Sequence, residues 1–468
     1  MSRFLENIRP RSWYYALSTV LMMLFPLICR YCGDGNLPPQ KAFARFWINL
    51  ILLNLLLAYG LFFIGKNKAI VVSRSEWILF IVVGIFLCAL PPIFSGDLHD
   101  YLMRGRILGV YHENPYRVPR DYPHDLFYSL STWVRVYQLP ENYGPLWSSV
   151  QWIAPTLFRD SYFGSLFFFK LILFGFLAGC VFIFSRICRL VAPEHAVWMV
   201  PLFALNPNLI DHILVDGHNE IVMVFWIIAA LYLSLKNKYF WTVIAATLAV
   251  LVKFTPVILL PAFGIYAFRS QTAQSPRTLI KLVLKTVVIF VLVGVIFYWP
   301  FWMGPSTLSY FSKFSDWFYS NSIPYAIHRL IGRLGVALPE IAVKHFFMVF
   351  FGLNCLWALA WLWLQKKQDA RSLCRAVTWM FMAMYISYAI PFYGHHLLWM
   401  LPFLILAQFP APFLCLILFA ATGVFFYFKR MSVLFIISLA VYIFYVLILN
   451  FRARNALKES GTGHGNKL

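Results

Sequence analysis

SYFGSLFFFKLILFGFLAGCVFIF, residues 161–184, decides the fold of this chain. A helix needs about 20 mostly apolar residues to cross a bilayer, and this stretch is long and apolar enough to do so. The same pattern recurs along the chain at 12–29, 45–64, 76–94, 195–210, 218–235, 239–268, 278–302, 343–364, 374–390, 393–409, 412–428 and 431–449. The pattern predicts an all-α polytopic membrane protein with about 12 to 14 transmembrane segments.

The composition excludes an ordinary soluble protein. Of the 468 residues, 61% are hydrophobic and only 12% are charged, whereas about a quarter of a soluble domain is charged. No stretch of domain length has globular composition, so residues 1–468 are predicted to form a single integral membrane domain. The net charge of +21 lies mostly in short segments between apolar runs, where it would contact anionic membrane lipid. No basic groove accompanies it, which argues against nucleic acid as a partner.

The first apolar run is predicted to be a retained membrane anchor. It follows three arginines, but no small-residue cleavage site comes after it, as a removable signal peptide would require. Cys29-Arg30-Tyr31-Cys32 closes this run. Without a second ligand pair the motif does not predict a zinc site. The two cysteines have either a redox or disulfide role or this spacing by chance.

Short basic segments between the apolar runs orient the chain. The positive-inside rule places such segments in the cytoplasm, and they occur at 3–11, 66–74, 186–189, 236–238 and 452–458. Both termini are therefore predicted to be cytoplasmic, and the long segments 95–160 and 303–342 extracytoplasmic. Lys429-Arg430 would lie outside and is the exception.

The run 239–268 has basic segments on both sides, so both of its ends should be cytoplasmic. This favours two short helices that enter and return, with an apex near Lys253-Phe254-Thr255-Pro256. Broken helices are tolerated where they are buried in protein or line a polar cavity. The alternative is one long tilted helix with a snorkelling lysine.

The two outer segments are too long for simple connections. Residues 95–160 mix acids, bases, aromatics and prolines, and residues 303–342 are rich in Ser, aromatic residues and Pro. Loops of this length are usually functional or disordered, and the aromatic content argues against disorder. We expect short helices lying on the outer membrane surface.

The first outer segment opens with Ser95-Gly96-Asp97 and continues to Asp100. A carboxylate at the outer end of a span can have a raised pKa, which suits it to take a proton from a hydroxyl. On a helical turn Asp97, Asp100 and Arg104 would share one face. The alternative is a helix cap with surface ion pairs.

Other polar motifs fall at the same predicted boundary. They are His112-Glu113-Asn114-Pro115-Tyr116, Tyr143-Gly144-Pro145, Asn206-Pro207, Asp216-Gly217-His218-Asn219-Glu220, Lys253-Phe254-Thr255-Pro256, Tyr298-Trp299-Pro300-Phe301-Trp302 and Pro391-Phe392-Tyr393-Gly394-His395-His396. Ionisable residues at such positions are energetically costly, so their gathering on one side predicts a shared site.

In this order the motifs resemble those of the GT-C superfamily of glycosyltransferases. The succession Asp-x-x-Asp-Tyr, Gly-Arg, Asn-Pro-Tyr, Tyr-Gly-Pro, Gly-His-Asn-Glu and Lys-x-x-Pro, between about residues 75 and 410, is similar to bacterial and archaeal polyprenyl-phosphate-mannose-dependent mannosyltransferases. The family commonly has Asp where this chain has Glu220, and often a second acid beside the first one, where this chain has Ser-Gly-Asp.

The resemblance implies a GT-C-like bundle in a bacterial cell membrane. It also implies transfer of mannose, or another hexose or pentose, from a polyprenyl-phosphate donor to a glycan or lipid acceptor on the outer face. By position, Asp97 corresponds to the general base and Asp100 to a residue that orients the acceptor or the base. An inverting displacement needs one base and no covalent intermediate.

A fixed cation would stabilise the departing phosphate. Lys253 is the first choice, and the further candidates are Arg104, Arg106, His218 and His395. Tyr143 and the run His218-Asn219-Glu220 are expected to contact substrate, although the run also suits a helix cap or a divalent metal. Hydrogen bonding of the run to substrate is favoured over metal binding. A divalent metal is therefore an alternative, and the sequence does not require a cofactor. His395-His396 also suits interfacial filling.

Two other functions remain to be weighed. A transporter or flippase of lipid-linked sugars predicts charges along the middle of the spans and internal repeats. The ionisable residues instead gather at one boundary and no strong repeat is visible, which favours an enzyme. A glycan ligase would use the same outer-face chemistry.

Overall fold

A computed structural model describes residues 74–92, 95–117, 122–128, 140–271, 275–308, 322–366, 368–387 and 394–408. The predicted spans 12–29, 45–64, 412–428 and 431–449 lie outside the described residues, as do the Cys29–Cys32 motif, Lys429-Arg430 and both termini. The extent of a single domain over 1–468 therefore stays a prediction.

The described residues are helical, with no β-strand among them. The helices are α1 (Arg74–Cys88), α2 (Asp97–Gly109), α3 (Pro145–Gln151), α4 (Ile153–Phe158), α5 (Tyr162–Val191), α6 (Ala196–Ala204), α7 (Pro207–Ile210), α8 (Glu220–Leu235), α9 (Tyr239–Val250), α10 (Leu260–Arg269), α11 (Pro276–Tyr298), α12 (Ile323–Arg333), α13 (Glu340–Trp363), α14 (Ala370–Ser387) and α15 (Leu401–Leu406). A π turn covers Asp211–Val215, and 3₁₀ turns cover Thr255–Leu259, Trp299–Phe301, Ser306–Leu308 and Gly394–Trp399.

Three of these segments are long and apolar enough to cross a membrane: α5, α11 with the turn that follows it, and α13. They match the predicted runs 161–184, 278–302 and 343–364. On α11 only Leu282 and Ile289 are buried, while aliphatic side chains such as Leu284 and Ile296 are exposed. An aliphatic outer surface is what lipid contact requires. The prediction of an all-α membrane protein is confirmed.

Two predicted spans, 195–210 and 393–409, are not single helices. After α6 the Asn206 side chain accepts a hydrogen bond from the backbone N–H of Asn208 at 3.0 Å, which starts a new short turn. In the second, a 3₁₀ turn precedes α15, and the positive φ of Gln408 (54°) follows it. All six residues of α15 are buried, and a helix of that length is too short to cross a bilayer.

The run 239–268 is broken at the predicted place. Helix α9 ends at Val250, and helical structure resumes at Thr255. The carbonyl groups of Leu251 and Val252 accept hydrogen bonds from the backbone N–H groups of Leu146 (3.0 Å) and Gly144 (3.1 Å). The bonds satisfy polar groups that a break in a membrane helix would otherwise leave exposed. Two helices, rather than one continuous helix, therefore form this run.

Gly144 is required by this contact. A Cβ atom at that position would lie 2.1 Å from the carbonyl oxygen of Leu251. Only glycine allows the two backbones to approach this closely. The Tyr-Gly-Pro motif therefore joins the first outer segment to the break between α9 and α10.

Helix α2, in the first outer segment, is packed in the interior of the described residues. Nine of its 13 residues are buried. Tyr101 stacks edge-on against Trp147 with 5.0 Å between ring centroids, and Trp147 packs against Phe169 of α5 at 5.7 Å. Since aromatic pairs in this geometry are favourable beyond their buried area, they hold α2 against α3 and α5.

Lys170, in the apolar interior of α5, is fully buried. Its ammonium group donates to the carbonyl oxygens of Leu87 (2.8 Å), Leu90 (2.7 Å) and Val215 (3.1 Å). Carbonyl groups at the end of a helix lack partners within the helix. Lys170 therefore ties the end of α1 and the π turn to α5.

We expect Lys170→Met to destabilise the protein by roughly 2 to 4 kcal/mol, because three buried carbonyl groups lose their charged donor. Thermal unfolding of the detergent-solubilised protein would measure this. Lys281→Met, at an exposed position of α11, is the control and should leave the melting temperature almost unchanged. Equal melting temperatures for the two variants would contradict the capping role of Lys170.

Candidate active site

Asp97 begins α2, and His218 lies in the turn before α8. The Oδ2 atom of Asp97 is 3.2 Å from the Nδ1 atom of His218. The turn depends on Gly217, which has a φ of 76° and packs against Leu98 of α2. Residues with a side chain rarely adopt such a φ. The Asp-Gly-His-Asn-Glu corner is thereby brought directly beside the start of α2.

Glu220 and Lys253 form an ion pair at the centre of the site. The Lys253 Nζ atom donates to the Glu220 Oε1 atom at 2.8 Å, and the His395 Nε2 atom lies 3.8 Å from the same oxygen. Glu220 is the first residue of α8, and Lys253 lies in the break after α9. The structure thus brings three predicted site residues from separate motifs into contact.

Aromatic rings hold the Lys253 ammonium group. Its Nζ atom lies 4.7 Å from the ring centroid of Trp399 and 5.6 Å from that of Tyr143. The Tyr143 hydroxyl is 3.3 Å from the Tyr101 hydroxyl on α2. Cation–π contacts of this kind fix a cation without neutralising it.

The cluster has access from outside at two charged groups. The Asp97 and Lys253 side chains are 33% and 19% exposed, whereas those of His218 and Glu220 are 4% and 2% exposed. A base and a cation that meet substrate must be reachable, while the groups that orient them need not be. This division agrees with the roles predicted for Asp97 and Lys253.

Three histidine rings pack together beside Glu220. The ring centroids of His218 and His395 are 4.0 Å apart, and His212 lies 5.8 Å from His218 and 5.7 Å from His395. Sequence analysis did not single out His212. It lies six residues before His218, and only the π turn brings its ring back to the same place. No regular helical spacing would have indicated this.

Asn219 is fully buried between His218 and Glu220. Neither its amide nitrogen nor its amide oxygen has a hydrogen-bond partner among the described residues, and the Oε2 atom of Glu220 also has none. Buried polar groups nearly always find partners in folded proteins. The corner is therefore suited to hydrogen-bond a bound molecule, as predicted for the run His218-Asn219-Glu220.

Asp100 and Arg104 belong to a buried network next to the cluster. The Arg104 Nε atom donates to the Asp100 Oδ2 atom at 2.9 Å, and the Arg104 Nη1 atom lies 3.9 Å from the Glu141 Oε1 atom. Burial raises the pKa of Asp100 to about 6 and also raises the pKa of Glu141, although Arg104 opposes both shifts. Sequence analysis missed Glu141, because the residues around it in the sequence are typical of a loop and do not indicate that it is buried.

Arg106 is not brought to this cluster. Its guanidinium group donates to the Asp125 Oδ2 atom at 2.7 Å and to the carbonyl oxygen of Arg159, and it stacks over the Phe127 ring at 4.4 Å. These contacts hold the first outer segment together. The predicted contact between Arg106 and a phosphate stays a prediction.

The Asn-Pro-Tyr motif connects the Tyr-Gly-Pro motif to the turn that follows α11. The Asn114 side chain donates to the carbonyl oxygen of Phe301 at 2.8 Å, and the Tyr116 hydroxyl donates to the carbonyl oxygen of Tyr143 at 2.9 Å. Because both acceptors are backbone groups, the motif positions the walls of the site. It is not itself part of the ionisable cluster.

An apolar groove of about 490 Å³ lies between α9 and α11, directly after Lys253 in the chain. Its walls include Leu251, Phe254, Val291, Gly294, Tyr298 and Trp302. Gly294 leaves space here, since a Cβ atom added to it would have no neighbour within 4 Å. An apolar chain would fit this groove, and Lys253 lies between two of its lining residues in the sequence, Leu251 and Phe254.

Comparison with known proteins identifies the class to which these features point. Residues 41–269, slightly less than half of the chain, match the family model described as "Alpha-(1->6)-mannopyranosyltransferase, N-terminal domain". Asp97, Tyr143, His212, His218, Asn219, Glu220 and Lys253 fall in this range, whereas His395 and Trp399 lie outside it. The chain is thus similar to mannosyltransferases, as the order of its motifs predicts.

A particular relative supports the same class over a longer stretch. The chain is 24% identical over 381 residues to alpha-(1->6)-mannopyranosyltransferase A of Mycobacterium tuberculosis (strain ATCC 25618 / H37Rv), a match that covers 76% of this chain and 72% of the relative. No solved structure matches the chain.

We expect Arg104→Met to destabilise the protein by roughly 3 to 5 kcal/mol near neutral pH, because it leaves two buried carboxylates without their cation. The loss should shrink as the pH falls toward about 6, because without Arg104 the carboxyl groups take up protons at a higher pH than they do in the wild type. Acid conditions protonate Asp100 and Glu141, whose pKa values are raised by burial and would rise further without Arg104.

Thermal unfolding of wild-type and variant protein across this pH range would test the prediction. Arg186→Met, at an exposed position of α5, is the matched control. A penalty for Arg104→Met that stays constant or grows toward acid pH would contradict the proposed network.

Proposed function

We propose that this protein transfers a sugar, with mannose as the first candidate, from a polyprenyl-phosphate donor to a hydroxyl group of a glycan or lipid acceptor. The observation that carries the proposal is the convergence of Asp97, His218, Glu220 and Lys253 beside an apolar groove. The family match and the named relative favour an enzyme over a transporter of lipid-linked sugars.

Asp97 acts as the general base in this proposal. Its side chain is partly exposed, and its Oδ2 atom faces His218. The remaining oxygen is available for an acceptor hydroxyl. Loss of that proton as the hydroxyl oxygen attacks the anomeric carbon needs one carboxylate within hydrogen-bond reach. Asp100 acts through its buried pair with Arg104, which fixes the first turn of α2.

Lys253 stabilises the departing phosphate. Glu220 and two aromatic rings fix its ammonium group, and the side chain remains partly exposed. A cation already positioned where charge develops contributes more to the transition state than one that must move there. The donor arrives activated as a phosphate ester, so one displacement with inversion suffices and no second nucleophile is needed.

The groove between α9 and α11 receives the polyprenyl chain. It is lined almost entirely by aliphatic and aromatic side chains, and one of them is Phe254, the residue after Lys253. Each buried methylene contributes about 0.8 kcal/mol, so several isoprene units would account for much of the donor affinity. With the polar cluster at the outer boundary, transfer takes place on the extracytoplasmic face of a multi-pass protein with cytoplasmic termini.

Asp97→Asn should lower kcat by about 10² to 10⁴-fold with little change in KM for the donor, because it removes the base and keeps the shape. Transfer of labelled mannose from a polyprenyl-phosphate donor by the purified variant would measure this. Asp160→Asn, an exposed acid of the same segment, is the control. Full activity of a folded Asp97→Asn variant would remove Asp97 from the role of base.

Gly294→Phe should fill the groove and raise KM for a long-chain donor about tenfold, a loss of about 1.4 kcal/mol of binding. A single-isoprene analogue does not reach the filled part, so its KM should stay unchanged. Gly352→Phe is matched to it, because that glycine also lies in a long apolar helix and has nothing within 4 Å of an added Cβ. An equal effect on both donors, or on both variants, would rule out this groove.

A further inference from the structure

Three buried imidazoles from three separate turns meet in the site. His212 comes from the π turn, His218 from the turn before α8 and His395 from the 3₁₀ turn before α15. One ring nitrogen from each lies within 4.8 Å of the corresponding nitrogen of the other two. The three nitrogen atoms are therefore close enough together to bind one ion.

Neutral imidazole is the commonest protein ligand for zinc and related ions. Catalytic zinc sites often have three protein ligands, with a fourth position open to water or substrate. We propose that His212, His218 and His395 bind one divalent transition-metal ion of the zinc type. We further propose that its open position takes an oxygen of the donor phosphate, a clause that rests on the proposed function.

The carboxylates around the three rings support this assignment. Asp97 lies 3.2 Å from the Nδ1 atom of His218, and Glu220 lies 3.8 Å from the Nε2 atom of His395. Metal-binding histidines almost always have a second hydrogen-bond partner, often a carboxylate, that fixes the ring and its tautomer. Asp97 therefore lies within reach of one of the three rings, and Glu220 lies near a second ring but beyond hydrogen-bond distance.

The balance of charge also favours a cation. Asp211 and Asp216 approach His212, so four carboxylates adjoin the three rings. Lys253 pairs with Glu220, and Lys170 interacts electrostatically with Asp216. The acids around the rings would attract a cation. The buried, unpaired amide of Asn219 adjoins His218 in the chain and marks the same corner as suited to a ligand.

The ion would complement Lys253 in the transfer. A bond forms between the acceptor oxygen and the anomeric carbon, and the proton of the acceptor hydroxyl passes to Asp97. The bond between the anomeric carbon and the phosphate oxygen breaks, and its electron pair stays on that oxygen. A Lewis acid at the phosphate stabilises the added negative charge.

Metal analysis of the protein purified in detergent, without chelator and without substrates, tests the site directly. Wild-type protein should contain one metal ion per chain after equilibration with zinc and desalting. His212→Ala and His395→Ala should lose it. His345→Ala, at an exposed position of α13, should retain it. A wild-type protein that takes up no ion, or equal uptake by all variants from an adventitious ion only, would overturn the site.

A second variant protects the test against misfolding. His395→Cys keeps a ligand, so its cobalt-substituted form should bind the ion and gain a sulfur-to-metal absorption band. Bound cobalt without that band would place the ion elsewhere. Because neither measurement uses transfer activity, a metal-loaded protein that fails to transfer sugar would count against the proposed function and leave the site intact.

The proposed contact between the ion and the donor phosphate is tested separately. Addition of undecaprenyl phosphate should shift the visible absorption of the cobalt-substituted wild-type protein, since a phosphate oxygen would enter the coordination sphere. An unchanged spectrum at saturating lipid phosphate would overturn this contact.

Discussion

The ion pair between Glu220 and Lys253 is the interaction on which the site depends. Glu220 is almost completely buried at the start of α8, and a carboxylate in that position is stable only with a charged or hydrogen-bonding partner. Its partner, Lys253, lies in the break after α9. The pair therefore connects the start of α8 to the end of α9. His395 and Trp399 then bring the 3₁₀ turn before α15 to the same pair. Removing either charge would leave the other unpaired inside the protein.

Much of this arrangement follows from the sequence by physical rules. Long apolar runs predict α5, α11 and α13 because a bilayer fixes the length of a spanning helix. Basic segments on both sides of 239–268 predict the break at Lys253. Polar motifs at one predicted membrane boundary were expected to share a site. The residues selected on this basis lie in one connected cluster in the structure: Asp97, His218, Glu220, Lys253 and His395.

The remaining features depend on contacts that local sequence does not encode. His212 enters the cluster through a π turn, whose extra residue shifts the phase of every side chain after it. Glu141 becomes a buried network acid only because α2 packs inside the protein. The position of Lys170 in an apolar run is typical of a snorkelling lysine. Its ammonium group instead donates to carbonyl groups more than 40 positions away in sequence. The predicted spans at 195–210 and 393–409 are divided into shorter helices and turns, and hydropathy alone does not indicate such breaks.

The contact between Gly144 and Leu251 has a consequence for how substrates enter. Two hydrogen bonds fasten the first outer segment to the break that carries Lys253. Moving that segment away would expose two backbone carbonyl groups that have no helical partner, at a cost of roughly 1 to 3 kcal/mol each. Asp97 and Lys253 are therefore held at a fixed separation before any substrate arrives. If this site carries out the proposed transfer, it would select acceptors by fit to a rigid opening, and induced closure would contribute little to its specificity.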